Sequence, residues 1–199
     1  MNMIVRPFEG TPDEVSGTVD LVQKDLAATY EAQGDHEQAV YELDTSRRIQ
    51  LEADQLERYQ SGHGDRFGAV DTTTGNIVSM AMVSEWLRGD QYPFSTPLGR
   101  VGLQGLQLAR IGRLPTRPVG LHTLVLDREL SATDQLDVAM LTGVEVINRS
   151  ENREIRTSLP DNDPAERALQ YLGFVATGRF GERLKAPGIL QQLYVRKRI

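Results

Sequence analysis

The sequence NDPAERALQYLGF, residues 162–174, holds the local pattern that decides the fold class of this chain. Asp163 can cap a helix, Pro164 suits the first helical position, and Glu166 stands where a capping box places an acidic residue. Gly173 is the residue type that most often follows the end of a helix. The stretch therefore predicts a short helix, and the segments on either side of it predict that it connects two strands.

Further elements can be assigned outward from that helix. Toward the C-terminus, Val175–Phe180 and Gln192–Arg198 are predicted strands. Toward the N-terminus, Glu154–Leu159 is a predicted strand, and before it lies an amphipathic helix that Ser131 or Thr133 could cap. The predicted order of these segments, a helix, a strand, a helix and two strands, is typical of a protein with a mixed α/β sheet.

The N-terminal part of the chain adds strands and helices to the same pattern. Val119–Leu126 is a mostly apolar run typical of a buried strand, and residues 87–118, rich in glycine and proline, are interpreted as an insertion. The other predicted elements are a strand Ile4–Phe8, a helix from a Thr11/Glu14 capping box to Gly34, one or two helices within 36–60, and strands Arg66–Asp71 and Ile77–Trp86 joined by a turn at 73–76. Together they predict one domain, 1–199, with a mixed sheet and helices on both faces.

Composition narrows the classes of function. The net charge is −6, which argues against a general nucleic-acid binder and mildly favours a cationic partner such as an amine. The chain has no cysteine, which excludes disulfides, thiolate nucleophiles and cysteine metal sites. The sequence contains no apolar stretch of membrane-spanning length and no secretory signal pattern, so we expect a cytoplasmic protein that does not insert into membranes.

The C-terminal third resembles the second signature segment of the GNAT superfamily of acyl-CoA-dependent N-acyltransferases. That family commonly has an Asn, a small residue three positions on, an apolar residue at six, a Tyr or polar residue at seven, and Gly-Phe at eleven and twelve. Here the corresponding residues are Asn162, Ala165, Ala168, Leu169 and Gly173–Phe174. The order of predicted elements is also similar to the family over nearly the whole chain, and implies a mostly antiparallel twisted sheet of about seven strands.

The resemblance implies an acyl-CoA site at the fourth predicted strand. In the family this strand splays from the fifth, and pantetheine pairs with its backbone, which here would be Leu124, Val125 and Leu126. The following loop binds the pyrophosphate through amides at a helix N-terminus. The resemblance then assigns Arg128, Ser131, Ala132, Thr133 and Asn162 to cofactor binding.

The loop itself departs from the family pattern. One register aligns Arg128, Ser131 and Thr133 with the motif, and another aligns Leu130, Thr133 and Gln135. Neither register contains the glycines that let a backbone approach a phosphate closely. Three acidic residues, Asp127, Glu129 and Asp134, also place negative charge there. The loop can therefore be an anion site or only a helix cap.

Candidate catalytic residues follow from the same comparison. Many family members have a Tyr at the seventh position to protonate the leaving thiolate, but this chain has Leu169, which leaves Tyr171 and, on the last strand, Tyr194. Glu85, at the end of the third predicted strand, is the favoured general base, with Asp127 as the runner-up. No spacing of carboxylates and histidines predicts a metal site.

Two functions stay open at this point. The first is transfer of an acetyl or other acyl group from acyl-CoA to a primary amine of a small molecule or peptide, and a homodimer is possible. The alternative is a catalytically inactive GNAT-like scaffold that acts as a protein-interaction or regulatory module, with the insertion 87–118 as a contact surface. The glycine-free loop and Leu169 favour the alternative.

Overall fold

The described strands form one seven-stranded sheet. The computed structural model describes residues 2–62, 64–85, 118–151, 153–160, 163–183 and 186–197. The strands are β1 (Met3–Pro7), β2 (Asp65–Asp71), β3 (Ser79–Glu85), β4 (Val119–Leu126), β5 (Ile155–Pro160), β6 (Val175–Arg183) and β7 (Ala186–Arg196). Their order in the sheet is β1-β2-β3-β4-β5-β7-β6, and β4 with β5 is the parallel pair. The predicted mixed, mostly antiparallel sheet is confirmed.

Five described helices cover both faces of the sheet. They are α1 (Pro12–Ala32), α2 (His36–Glu42), α3 (Thr45–Gln60), α4 (Ala132–Arg149) and α5 (Pro164–Tyr171). One face of the sheet packs against α1, where Phe8, Met80 and Val125 belong to one apolar cluster with Leu21. The other face packs against α4 and α5 in the largest apolar cluster. Alternate residues of β4 thus serve opposite layers, as the period of a strand requires.

The N-terminus of α1 has the predicted capping box. The Thr11 hydroxyl oxygen accepts a hydrogen bond from the Glu14 amide, and the Glu14 carboxylate accepts one from the Thr11 amide. The Glu14 carboxylate also accepts from the amides of Glu9 and Gly10, at 2.8 and 2.9 Å, and pairs with Arg6. Burial raises the pKa of Glu14, but the Arg6 contact and the three amides outweigh it, so the pKa lies below its usual value of 4.5.

Glu14→Gln is expected to destabilise the protein by about 1–2 kcal/mol at neutral pH, because several donors lose a charged acceptor. The folded-state pKa of Glu14 is depressed, so its contribution is present above pH 4.5 and is lost as pH falls through the folded-state pKa. Urea unfolding of the two proteins at pH 7 and at acid pH measures this. An unchanged stability difference at acid pH would contradict it.

The helix within the opening stretch ends as Gly173 predicts. Gly173 has φ +85°, its amide donates to Gln170 O at 3.0 Å, and the Phe174 amide donates to Leu169 O at 2.9 Å. This is a Schellman motif, which requires the left-handed conformation that glycine adopts without steric cost. It turns the chain from α5 directly into β6.

The predicted capping box at the start of α5 was wrong. Asp163 is the N-cap and accepts from the Ala165 amide at 2.8 Å, as expected. Glu166 does not return a bond to the cap. Its carboxylate instead accepts from the Tyr194 hydroxyl at 2.6 Å. Glu166, which the local pattern assigned to the helix terminus, is thus hydrogen-bonded to Tyr194 of β7.

Other boundaries differ by a few residues from the sequence-based ones. The segment 36–60 forms two helices, and β3 begins at Ser79 because Ile77 makes only an isolated bridge to Val70. The insertion predicted at 87–118 lies outside the described residues except for Pro118. Asn162 and Trp86 also lie outside them.

Candidate active site

Strands β4 and β5 pair over a short length and then separate. Val119, Gly120 and Leu121 pair with Ile155, Arg156 and Thr157, and the parallel register continues no further. The Thr157 hydroxyl donates to Leu121 O at 2.9 Å, at the last paired position. Beyond it β4 runs to Leu126 while β5 continues beside β7. The backbone of β4 beyond Leu121 therefore has no partner on β5, and we interpret this unpaired edge as one side of a cleft between the two strands.

A β-bulge lies where the separation begins. In the β3–β4 register Val83 faces Leu121 and Met82 faces Thr123, so His122 is an extra residue on β4. Bulges bend a strand and increase its twist, which accounts for the departure of β4 from β5. The His122 ring is held by a 2.7 Å hydrogen bond between Nε2 and the Ser84 hydroxyl. No signal in the sequence indicated that His122 lies at this position of the strand.

The backbone of β4 presents polar groups to the cleft. The Asp127 amide donates to Val78 O at 2.9 Å, so it points toward β3. Backbone groups alternate in direction along an antiparallel strand, which directs the N–H and C=O of Leu126 and Leu124 toward β5. No residue of β5 pairs with them in the register. An extended ligand with amide groups could therefore pair with β4 as an added strand would.

The N-terminus of α4 lies directly after β4 and has free amides. Ser131 is the N-cap, and its hydroxyl oxygen accepts from the Asp134 amide at 3.2 Å. Within the described chain, the amides of Ala132 and Thr133 have no acceptor, and both residues are exposed. Helices α1 and α5 carry proline at this position and lack the corresponding N–H. Exposed amides at the positive end of a helix form an anion site.

The acidic residues of the loop are engaged in local contacts. Asp127 accepts from the Glu129 amide at 2.9 Å, and Asp134 accepts from the Ser131 hydroxyl at 2.6 Å. Glu129 pairs with Lys24 of α1 at 2.7 Å, and this hydrogen bond raises the pKa of Lys24. Their charge still opposes a phosphate at the helix terminus, although Lys24 offsets part of it.

Arg128 has contacts that its expected role in cofactor binding did not include. Its Nε and Nη2 lie 2.8 and 2.6 Å from Asp25 Oδ1, and Nη2 lies 3.9 Å from Asp163. Asp25 is nearly buried, and Arg128 keeps only 22% of its side-chain exposure. The guanidinium thus joins the loop to α1 and to the N-cap of α5. Only the N–H groups that do not bind these carboxylates could contact a phosphate.

The two candidate acids occupy different environments. Tyr171 is 64% exposed on α5, and Arg167 donates to its hydroxyl at 3.3 Å. Tyr194 is 2% exposed and is paired with Thr157 on the strand that borders the cleft. Leu169, at the family's tyrosine position, is completely buried in the core. Position favours Tyr194 over Tyr171, although the Tyr194 hydroxyl already donates to Glu166.

The two candidate bases lie at opposite ends of β4. Glu85 is the last residue of β3 and pairs with Val119, whereas Asp127 follows the other end of β4. At about 3.3 Å per residue the two positions are about 25 Å apart, so they cannot serve the same amine. Asp127 lies beside the free amides of α4, at the end of β4 suited to phosphates, so Glu85, at the opposite end, is the better placed of the two for a base.

A buried arginine outside the cleft was missed in the sequence. Arg66 is 6% exposed, and within the described chain its Nε and Nη2 atoms have no acceptor. The guanidinium lies 4.6 Å from the centre of the Tyr59 ring. Such a contact contributes about 0.5–2 kcal/mol, whereas burying an unpaired charge costs several kcal/mol. The available signal was a charged residue directly before the apolar run Phe67–Val70 of β2.

The described part of the chain contains no group of three or more histidine and acidic residues able to hold a metal ion. No described helix is both long and apolar enough to cross a membrane.

Comparison with known proteins identifies the fold. No protein-family model and no curated protein sequence matches the chain. Among solved structures, it is similar to an N-acetyltransferase from Staphylococcus aureus, at 12% identity and TM-score 0.60 over 100% of both chains. It is also similar to a histone acetyltransferase HPA2 and related acetyltransferase from Corynebacterium glutamicum, at 17% identity and TM-score 0.62 over 100% of this chain and 98% of the other. A third is the PaiA N-acetyltransferase from Thermoplasma acidophilum in complex with coenzyme A, at 11% identity and TM-score 0.56 over 99% of both chains. The chain has the fold of the GNAT N-acetyltransferases.

Proposed function

We propose that the protein is an acyl-CoA-dependent N-acyltransferase that transfers an acetyl or other acyl group to a primary amine of a small molecule or peptide. The observation that carries the proposal is the cleft between β4 and β5, which ends at exposed amides of α4. The pairing of the strands stops at Leu121 and Thr157, and the free amides belong to Ala132 and Thr133. Binding of coenzyme A by a solved neighbour with this fold supports the same ligand.

Each part of the cleft suits one part of acyl-CoA. The pantetheine arm carries amide groups, which match the backbone N–H and C=O of Leu124 and Leu126. The pyrophosphate suits the Ala132 and Thr133 amides at the start of α4. The side chains of Leu124 and Leu126 are buried, so the strand offers its backbone from a rigid position. This geometry is stabilised by the ion pair of Arg128 with Asp25, by the packing of Val125 in the core and by Ser131 as the N-cap of α4.

The reaction is direct transfer between the two substrates. The amine nitrogen attacks the thioester carbonyl, the C–N bond forms as the C–S bond breaks, and the products are an amide and free CoA. A backbone N–H of β4, at Leu124 or Leu126, stabilises the negative charge on the carbonyl oxygen. A base takes the proton of the amine, for which Glu85 has the better position of the two candidates. The leaving thiolate takes a proton, from Tyr194 in preference to Tyr171.

Release of free CoA thiol measures this activity. The full chain is incubated with acetyl-CoA and longer acyl-CoAs against polyamines, amino-acid amides and lysine peptides. The proposal expects turnover with at least one amine, above the rate of thioester hydrolysis in buffer. Absence of turnover with every combination, in a protein that does bind CoA, would remove the catalytic part and leave the binding part.

A second candidate is an inactive scaffold that binds another protein, and two observations favour it. Arg128 is already paired with Asp25, and the loop is acidic, which weakens the anion site. Helices α2 and α3, with the C-cap of α2, also expose apolar side chains, namely Val40, Leu43, Ile49 and Leu56. Calorimetric titration with free CoA separates the candidates, because a scaffold without a cofactor site releases no heat of binding. Saturable binding together with turnover would exclude it.

A further inference from the structure

The unpaired atoms of Arg66 form a specific hydrogen-bonding unit. Nε and Nη2 of Arg66 lie on one edge of the guanidinium, and in the described chain both are buried without an acceptor, as the Tyr59 hydroxyl beside them is without a partner. This edge binds the two oxygens of a carboxylate through parallel N–H···O bonds. The Tyr59 ring covers the face of the guanidinium and uses none of its N–H groups. The stacking on Tyr59 therefore holds the Nε–Nη2 edge in position and provides no hydrogen-bond acceptor for it.

Arg66 lines a small cavity beside the C-terminal end of β1 and the N-terminal end of β2. The cavity measures about 230 Å³ and is bordered by Phe8, Tyr59 and Gly64. This is smaller than the pockets of about 300–1,000 Å³ that hold drug-sized ligands. It has room for a compact molecule or for one end of a larger one. Burial lowers the pKa of Arg66 and raises that of Tyr59, as expected where water is largely excluded.

Charges around the cavity select among anions. Arg149 also borders it, but its guanidinium pairs with Glu145 at 2.7 Å and lies 3.7 Å from Asp65. Glu9 and Asp65 add negative charge on the exposed side. Among the described residues of the cavity, Arg66 is thus a buried cation without a paired carboxylate, and on the rim Arg149 offsets part of the charge of Glu9 and Asp65. That arrangement admits a single negative charge and opposes a phosphate dianion or a polyanion.

We propose that the Arg66 cavity is a binding site for a compact carboxylate, held by the Nε–Nη2 edge of Arg66 beside the Tyr59 ring. The site is separate from the acyl-CoA cleft, because β3 lies between β2 and β4 in the sheet. The proposal therefore goes beyond the proposed function and does not depend on it.

The experiment follows the backbone amide signals of Gly62 and Gly64, which border the cavity, in the full chain. Acetate, propionate and glycine are titrated at constant ionic strength, with inorganic phosphate and sulfate as separate arms. Arg66→Met keeps a long unbranched side chain and removes the two N–H donors of the guanidinium edge. Arg66→Lys keeps the charge and removes the same pair of donors. Arg58→Gln removes an equal charge from the last turn of α3 and serves as the matched control.

Saturable shifts with a carboxylate are expected in the wild type and in Arg58→Gln, with affinity at least about tenfold lower in both Arg66 variants. The melting temperature of Arg66→Met is expected to equal or exceed that of the wild type, because an unpaired buried charge has been removed. Lack of saturation up to about 100 mM carboxylate would overturn the proposal. Tighter binding of phosphate or sulfate, or an equal loss of carboxylate affinity in Arg58→Gln, would also overturn it. A lower melting temperature in Arg66→Met would do the same, because it would show that Arg66 has only a structural role.

Discussion

Ala132→Pro is expected to weaken binding of coenzyme A by about 10- to 100-fold, because one hydrogen bond to a charged phosphate is lost. Ala132 is the first residue of α4, and proline is favoured at that position of a helix. The preceding residue, Ser131, has φ −60° and ψ 154°, the extended conformation that a following proline requires. The substitution thus removes the N–H donor and leaves the helix intact.

Thr45→Pro is the matched control for this prediction. Thr45 is the first residue of α3, and its predecessor Asp44 has φ −70° and ψ 147°. The same donor is therefore removed from a helix start that does not follow β4. Calorimetric titration with free CoA compares the two variants with the wild type. Equal affinity for all three proteins, or an equal loss in both variants, would show that the α4 terminus does not hold the phosphates.

Asp25→Asn is expected to destabilise the fold by about 2–4 kcal/mol, because it leaves the Arg128 guanidinium with reduced compensation in a largely buried site. Asp25 accepts from both Nε and Nη2 of Arg128, and its side chain is only 7% exposed. The remaining carboxylate, Asp163, lies at 3.9 Å and offsets little of the loss. Urea unfolding measures the difference.

The neighbouring ion pair provides the control. Lys24 and Glu129 join the same helix to the same loop, but both side chains are well exposed, so Lys24→Gln should cost less than about 1 kcal/mol. Replacing both members of the buried pair, as Asp25→Leu with Arg128→Met, should restore much of the stability. If Asp25→Asn and Lys24→Gln cost the same, the Arg128 contact does not hold the loop.

Elements with strong local signals could be predicted from the sequence. The capping box at Thr11 and Glu14, the cap at Ser131 and the Gly173 turn all depend on residues within five positions of one another. Strand β4 was predicted with its observed bounds because a buried strand reads as an apolar run. Pattern and structure agree where the partners of a residue are its neighbours in the chain.

Features of the site depend on partners far apart in the sequence, and these could not be predicted. Asp25 and Arg128 are 103 residues apart, and Glu166 and Tyr194 are 28 apart. The point at which β4 and β5 stop pairing depends on how the two strands align with each other, and the sequence of one strand does not determine that alignment. The stretch 162–174 therefore identified the fold, while the arrangement of the loop required the structure. The roles of Glu85 and Asn162 stay predictions.

The most direct test of the account follows backbone amide signals of the full chain during titration with free coenzyme A. Saturable shifts are expected that are largest at Leu124 and Leu126 of β4 and at Ala132 and Thr133 of α4, with much smaller shifts around the Arg66 cavity. Absence of saturable shifts at about 1 mM CoA, or shifts that leave these four amides unchanged, would contradict an acyl-CoA site between β4 and β5.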